Sequence, residues 1–195
     1  MLERSIFMAT VSVPEEGLVI NTAEQIKKYL AGISIEYELW PLAELNTDAD
    51  SADILRAYDT RIEELKEKGG YVNVDIIDVH PLTPGLDEML AKFNREHWHD
   101  EDEVRFTLHG RGIFHIHPPN HPVVAIEVEA GDMIRVPKGT HHWFNLCGTK
   151  EIKAIRFFQD KSGWTPHYTG ANEADKYEPV CFGPGYFPYS RSQAS

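Results

Sequence analysis

The chain is short of cysteine, of basic residues and of long apolar runs, and each shortage narrows what it can be. Its two cysteines, Cys147 and Cys181, form no CxxC pair and read as two reduced thiols in the cytosol. Lys and Arg number 19 against 31 Asp and Glu, a net charge of -12. Nucleic acid and anionic membrane both demand clustered positive charge, so neither is expected as a partner. No apolar stretch approaches the roughly 20 residues of a membrane span. The first residues, "MLERSIFMATVSV", lack the apolar core and small-residue cleavage site of a signal peptide. Met8 reads as an alternative start, making residues 1–7 an N-terminal extension. What remains is 195 residues of ordinary apolar and charged content, enough for one domain with a real core.

Histidine is what the chain has in quantity. There are ten, and all but His80 fall between His97 and His167 inclusive. Before this region the pattern is helical. "INTAEQIKKYLAGIS" predicts a helix with a Thr22/Gln25 capping box, an Ile26, Tyr29, Leu30 face and Gly32 at its end. "SADILRAYDTRIEELKEKGG" predicts a second, with an apolar stripe of Ile54, Leu55, Tyr58, Ile62 and Leu65. "YVNVDIIDVHPL" reads as a strand and "GLDEMLAKFNRE" as a third helix. After residue 96 come "VRFTLHG", "GIFHIH", "VVAIEVE", "DMIRVP", "HHWFNL" and "IKAIRFFQ", short runs divided by Gly, Pro and Asn. That spacing predicts an antiparallel sandwich or barrel, so the fold class is mainly β with a few N-terminal helices. The domain is expected over residues 8–170. Residues 171–195 form a tail, rich in Tyr, Pro, Gly and Ser, expected at the surface or partly disordered.

One stretch, "NREHWHDEDEVRF", holds two histidines and five acids in thirteen positions. Side chains alternate along a strand, so His97 and His99 share a face, and Glu103 has their parity. Parity is not sufficient. Extended chain would put Glu103 about 20 Å from His97, whereas one ion holds its ligands about 2 Å away. The chain must therefore reverse between His99 and Glu103, and the acidic "HDEDE" suits a tight turn. "GDMIRVPKGTHHWFN" offers a fourth donor in His141 or His142, only one of which can face inward. Imidazole with carboxylate suits Fe(II), Ni(II), Mn(II) or Zn(II), and four protein ligands on a six-coordinate ion leave two positions for a bidentate substrate. The competing reading is an exposed charge run with ordinary histidines. Its weakness is that the glycines and proline also fall where turns are required.

"HWHDEDEVRFTLHG" and "GDMIRVPKGTHHWFN" resemble the two cupin motifs, G-x5-H-x-H-x3,4-E-x6-G and G-x5-P-x-G-x2-H-x3-N. His97, His99, Glu103 and Gly110 fit the first. Gly131, Pro137, Gly139 and His142 fit the second, which selects His142 over His141. Ala91 stands where the first motif opens on Gly, and Asn145 comes one residue early. Within the cupins, "NREHWHDEDEVRFTLHGRGIFHI", "VAIEVEAGDMIRVPKGTHHWF" and "RFFQDKSGWTPHYTG" closely resemble the acireductone dioxygenases of methionine salvage, over roughly Ala9 to Gly170. The resemblance implies a double-stranded β-helix (jelly-roll) barrel. Nothing in the chain resembles a coiled coil, and with the cysteine reading a cytoplasmic monomer is expected. It implies one divalent metal, Fe(II) or Ni(II), on His97, His99, Glu103 and His142. The implied substrates are O2 and 1,2-dihydroxy-3-keto-5-methylthiopentene, bound as a dianion. The Fe form gives 4-methylthio-2-oxobutanoate and formate. The Ni form gives 3-(methylthio)propanoate, formate and CO.

Arg105 shares the parity of Glu103, and a guanidinium there favours a doubly deprotonated substrate by charge. The resemblance implies that same role, and links Glu96 to metal incorporation and Asp102 to relaying conformational change. Phe106, Phe114, Trp143, Phe144 and Phe157 are candidates for pocket walls, with core packing the commoner fate of such residues. Trp164 is expected over the barrel mouth. His80, His109, His115, His117, His121 and His167 read as structural or exposed. Asp100 and Glu101 read as a polar turn. Two alternatives stand beside the enzyme reading: a cupin dioxygenase for another substrate, and a non-catalytic metal-binding cupin.

Overall fold

A computed structural model describes residues 8–46, 48–161 and 163–183. The N-terminal extension expected at 1–7 and the tail beyond 183 lie outside these residues. Twelve strands run β1 (Thr10–Val13), β2 (Leu18–Ile20), β3 (Glu36–Leu39), β4 (Asn73–Val79), β5 (His97–Trp98), β6 (Glu103–Gly110), β7 (Gly112–His117), β8 (Val124–Val128), β9 (Asp132–Val136), β10 (His141–Leu146), β11 (Ile152–Phe158) and β12 (His167–Tyr168). Four α-helices, α1 (Ala23–Gly32), α2 (Ser51–Ala57), α3 (Asp59–Gly69) and α4 (Leu86–Phe93), all precede β5. The strands form two antiparallel sheets, ordered β12-β5-β10-β7-β8-β1-β2 and β3-β9-β6-β11-β4. This is the mainly β barrel expected.

Alternation along the strands divides the side chains between two cores. Phe114, Ile116, Ile126, Ile134, Val136, Phe144 and Ile152 come from both sheets and meet inside the barrel, closed by Ile26 and Leu30 of α1. Val104, Phe106, Met133, Ile155 and Phe157 point out of the five-stranded sheet and are covered by Ile54, Tyr58, Ile62 and Leu65 of α2 and α3. Residues 103 and 105 therefore face the barrel interior.

The helical readings need two corrections. The expected single helix over 51–70 is broken at Tyr58, whose backbone (φ -108°, ψ 10°) leaves the helical region. Tyr58 is buried, its ring packs on Phe106, and its hydroxyl accepts from the Ala43 N–H at 2.8 Å. Those contacts outweigh local propensity. The capping box at Thr22 is not formed either. Thr22 Oγ1 donates to Gln25 Oε1 at 2.9 Å, so the two side chains satisfy each other and leave the backbone N–H groups uncapped. The box forms instead on α2, between Asp50 and Asp53.

The thiol reading is overturned. Cys147 and Cys181 form a disulfide, their Cα atoms 5.9 Å apart. The pairing was invisible in the spacing because the residues are 34 apart, one just after β10 and the other in the C-terminal segment. It ties the segment after residue 170 to the end of β10. Glu127 secures the same segment by accepting from the Phe182 and Gly183 N–H groups. The described part of the tail thus lies on the barrel surface, fastened to it. Reduction, or Cys181→Ser, is expected to release it. Limited proteolysis should then cut after residue 170 while the barrel stays intact, and equal resistance in both redox states would refute this.

Buried Asp132 is a structural node. Its carboxylate accepts from Ala9 N (3.1 Å), Tyr37 Oη (2.7 Å) and Glu129 N (2.7 Å), joining the chain before β1, β3 and the turn into β9. Burial pushes its pKa up to about 7 even so. Asp132→Ala strands three donors, so a loss on the order of 3 kcal/mol or more is expected in thermal or denaturant unfolding.

Candidate metal centre

Topology brings the four expected donors together. β5 belongs to one sheet and β6 to the other, so the chain reverses between His99 and Glu103 as the spacing required. His97 on β5 pairs directly with His142 on β10. Donor atoms of His97, His99, Glu103 and His142 all lie within 4.8 Å of one another, and all four residues are buried. Glu103 Oε2 is 3.1 Å from His99 Nε2 and 3.2 Å from His142 Nε2.

The surroundings settle which nitrogens face inward. Nδ1 of His97 meets the Arg95 carbonyl (2.7 Å), that of His99 the Thr165 carbonyl (2.8 Å) and that of His142 the Thr140 carbonyl (2.8 Å). A carbonyl only accepts, so each Nδ1 carries the proton and each neutral Nε2 presents a lone pair to the interior. Three lone pairs and a carboxylate converging in a buried space repel one another unless a cation lies between them. Donors separated by 3.1–3.2 Å match neighbouring positions around an ion with bonds of about 2.1 Å. The residues present therefore fit a divalent metal, and sulfur is absent from the set.

Burial pushes Glu103 upward, but the Arg105 charge beside it outweighs burial, holding the carboxyl well below its ordinary range. Burial, with His142 beside it, pushes His97 down to about 4. For His99 burial acts downward, and the contact with Glu103 raises it overall.

Arg105 faces the cluster as its parity required. Its Nε is 2.7 Å from Glu103 Oε1, a close ion pair whose N–H is not aimed along the contact, so it falls short of a formed hydrogen bond. The guanidinium is buried among rings, 4.7 Å from the Phe144 centroid, 5.1 Å from Trp164 and 5.5 Å from Phe114. Trp164 stacks near His99 at 6.2 Å and donates from Nε1 to the Asp102 carbonyl, so it does sit against the site.

Glu96 and Asp102 are not brought into the cluster. Asp102 points away, accepting from Arg135 Nε (2.7 Å) and the Lys138 N–H (3.0 Å), which pins the turn before Glu103. Glu96 turns to the opposite face of its sheet and accepts from Thr169 Oγ1 at 2.6 Å. Glu101 is also corrected: it is buried, and accepts from the Gln159 and Asp160 N–H groups, so it anchors the turn where a solvated acid was expected.

Beside Arg105 is a cavity of about 70 Å³ lined by Ile77, Val79, Met89, Leu90, Phe93 and Phe144, with Arg156 at its edge. Of the five aromatic residues proposed as walls, only Phe144 lines it. Phe106 and Phe157 belong to the outer core, and Trp143 stacks on His115. The wall comes from α4 and β4 instead. Sequence reasoning missed Arg156, directly opposite Arg105 in the ladder and paired in two-pronged fashion with Asp75. Its signal was a lone Arg within the apolar run "IRFF". A larger cavity, about 370 Å³, lies beneath the C-terminal segment and includes none of the four donors. The donor set identifies the site; cavity size does not.

Comparison with known proteins agrees. The model of the ARD/ARD' family matches residues 21–166. An acireductone dioxygenase of Sulfurihydrogenibium sp. is 41% identical over 170 residues, covering 83% of this chain and 94% of its own. One from a Picosynechococcus species is 37% identical over 174 residues, covering 89% and 99%. The solved acireductone dioxygenase of Bacillus anthracis, with a cadmium ion in its active centre, superposes with a TM-score of 0.78 at 34% identity, covering 83% of this chain and 99% of that one. Barrel, buried donors and these likenesses lead to one conclusion: the chain belongs to the ARD/ARD' family, the acireductone dioxygenases.

Proposed function

We propose that the chain cleaves the acireductone 1,2-dihydroxy-3-keto-5-methylthiopentene with O2, using one Fe(II) or Ni(II) held by His97, His99, Glu103 and His142. The observation that carries this reading is the buried three-His, one-Glu cluster with the Arg105 guanidinium against it. When bound, the metal would supply Lewis acidity toward the substrate. The protein supplies the rest. The carbonyls of Arg95, Thr140 and Thr165 lock the three imidazoles in one tautomer. Arg105 stabilises the doubly deprotonated substrate. Arg156 is held by Asp75, and Arg105 is the guanidinium set against the donor cluster, in contact with Glu103. The apolar cavity beneath Phe93 and Phe144 suits the methylthioalkyl chain, and Trp164 helps exclude water.

The test is to strip the purified protein, reload it with Fe(II) or Ni(II), and follow acireductone loss and CO under oxygen. Consumption in both forms is expected, with CO only from the Ni form. Tight metal binding without consumption in either form would favour the non-catalytic cupin. We further propose a cytoplasmic monomer; no helix among the described residues is long and apolar enough to cross a membrane. Light scattering should give the mass of one chain.

A further inference from the structure

The sheet face turned away from the central cluster carries a second set of metal-type donors. Alternation sends His142 inward and His141 outward, and likewise sends His97 inward and Glu96 outward. His141 lies directly across the ladder from His117 of β7. Glu96 Oε1 is 2.5 Å from His117 Nδ1 and 3.8 Å from His141 Nδ1. The three donor atoms lie within 4.8 Å of one another. Donors bound to one ion at about 2.1 Å sit roughly 3.0–3.5 Å apart, so the two distances from Glu96 Oε1 need adjust by less than about 1 Å.

The group also has the supports of a site. Glu96 is 3% exposed, and Thr169 Oγ1 holds its other oxygen, leaving Oε1 aimed at the two imidazoles. The side chains of His117 and His141 are 35% and 46% exposed, so solvent can fill the remaining positions. The nearby ammonium of Lys176 is engaged by Glu173 at 2.7 Å.

We propose that Glu96, His117 and His141 form a second, solvent-open site for a borderline divalent cation of the Zn(II) type. Two imidazoles and a carboxylate are the donor chemistry such ions take. The family resemblance connects Glu96 only with loading the central metal and gives His117 and His141 no role. Glu96 and His141 adjoin His97 and His142 in the chain, so an ion here braces from outside the two strands that carry central donors.

The test uses Zn(II) alone. The full chain is equilibrated with Zn(II), and bound metal is counted after dialysis. About two ions per chain are expected for the wild type, and about one for the His117→Ala/His141→Ala double variant. About one is also expected for His99→Ala, which damages only the central site. In parallel, Zn(II) should protect His117 and His141 from diethylpyrocarbonate in the wild type and in His99→Ala, read peptide by peptide. That readout holds even if a variant folds poorly. One zinc in the wild type with no protection of these histidines overturns the inference, leaving a hydrogen-bonded cluster only. A double variant that binds no zinc while the wild type binds one, with protection, would instead indict the central site.

Discussion

Changing His142 to alanine is expected to empty the central site, whereas His141→Ala keeps the central ion. The two residues are neighbours on β10, but His142 is 2% exposed with Nε2 at the cluster, while His141 turns to the outer face. Loss of His142 removes one of three neutral donors that converge with Glu103. Removing partners that merely orient a ligand lowers metal affinity roughly 10–100-fold, so losing the ligand itself should cost at least that. Turnover should fall with the metal, on the order of a hundredfold or more. Metal analysis after dialysis gives the first quantity and acireductone consumption the second. Circular dichroism separates both from unfolding. The opposite ranking would mean that the face assignment is inverted.

Alternation left His141 and His142 open, and the resemblance to the second cupin motif selected His142; the strands themselves were legible because period-two alternation and turn spacing are local signals. Strands β6 to β11 each fall within about a residue of an apolar run, and Gly131, Pro137 and Gly139 mark turns between them. The chain reversal followed from the length of extended backbone alone. Other features depend on partners far away in the chain. β1 is four residues long and gains its place by pairing with β8, more than a hundred positions later. Its apolar residues carry no signature of that pairing. Tyr58 reads as one more residue on a helical stripe, and the break there follows from its distant contacts with the Phe106 ring and the Ala43 N–H. The pocket wall was missed for the same reason. Phe93, Met89 and Leu90 look like the buried face of any amphipathic helix, and only the position of α4 against β10 turns them toward Arg105. The disulfide is the extreme case, since an isolated cysteine says nothing about which strand end it will meet.

Arg105→Ala should leave the metal in place and still cost the enzyme two to three orders of magnitude in kcat, roughly the effect of removing one charge-stabilising donor from a closed site. The charge is poised where it counts. It is buried, 2.7 Å from Glu103, and enclosed by Phe144, Trp164 and Phe114 in a medium that screens poorly. Beside it, a substrate hydroxyl loses its second proton more readily, because a fixed positive charge lowers the pKa of a neighbouring acid. Removing that charge raises the substrate's second pKa, so the variant should regain part of its rate as pH increases, whereas the wild type should not. Arg105→Lys tests geometry separately from charge. It retains the positive end but not the planar group packed between the rings, and an intermediate rate with a smaller alkaline shift is expected. If Arg105 served only to hold Glu103 in position, the alanine variant would lose metal, and its pH profile would keep the wild-type shape at reduced height. Metal content and pH profile, measured on the same preparation, therefore distinguish an electrostatic role toward the substrate from a purely structural one.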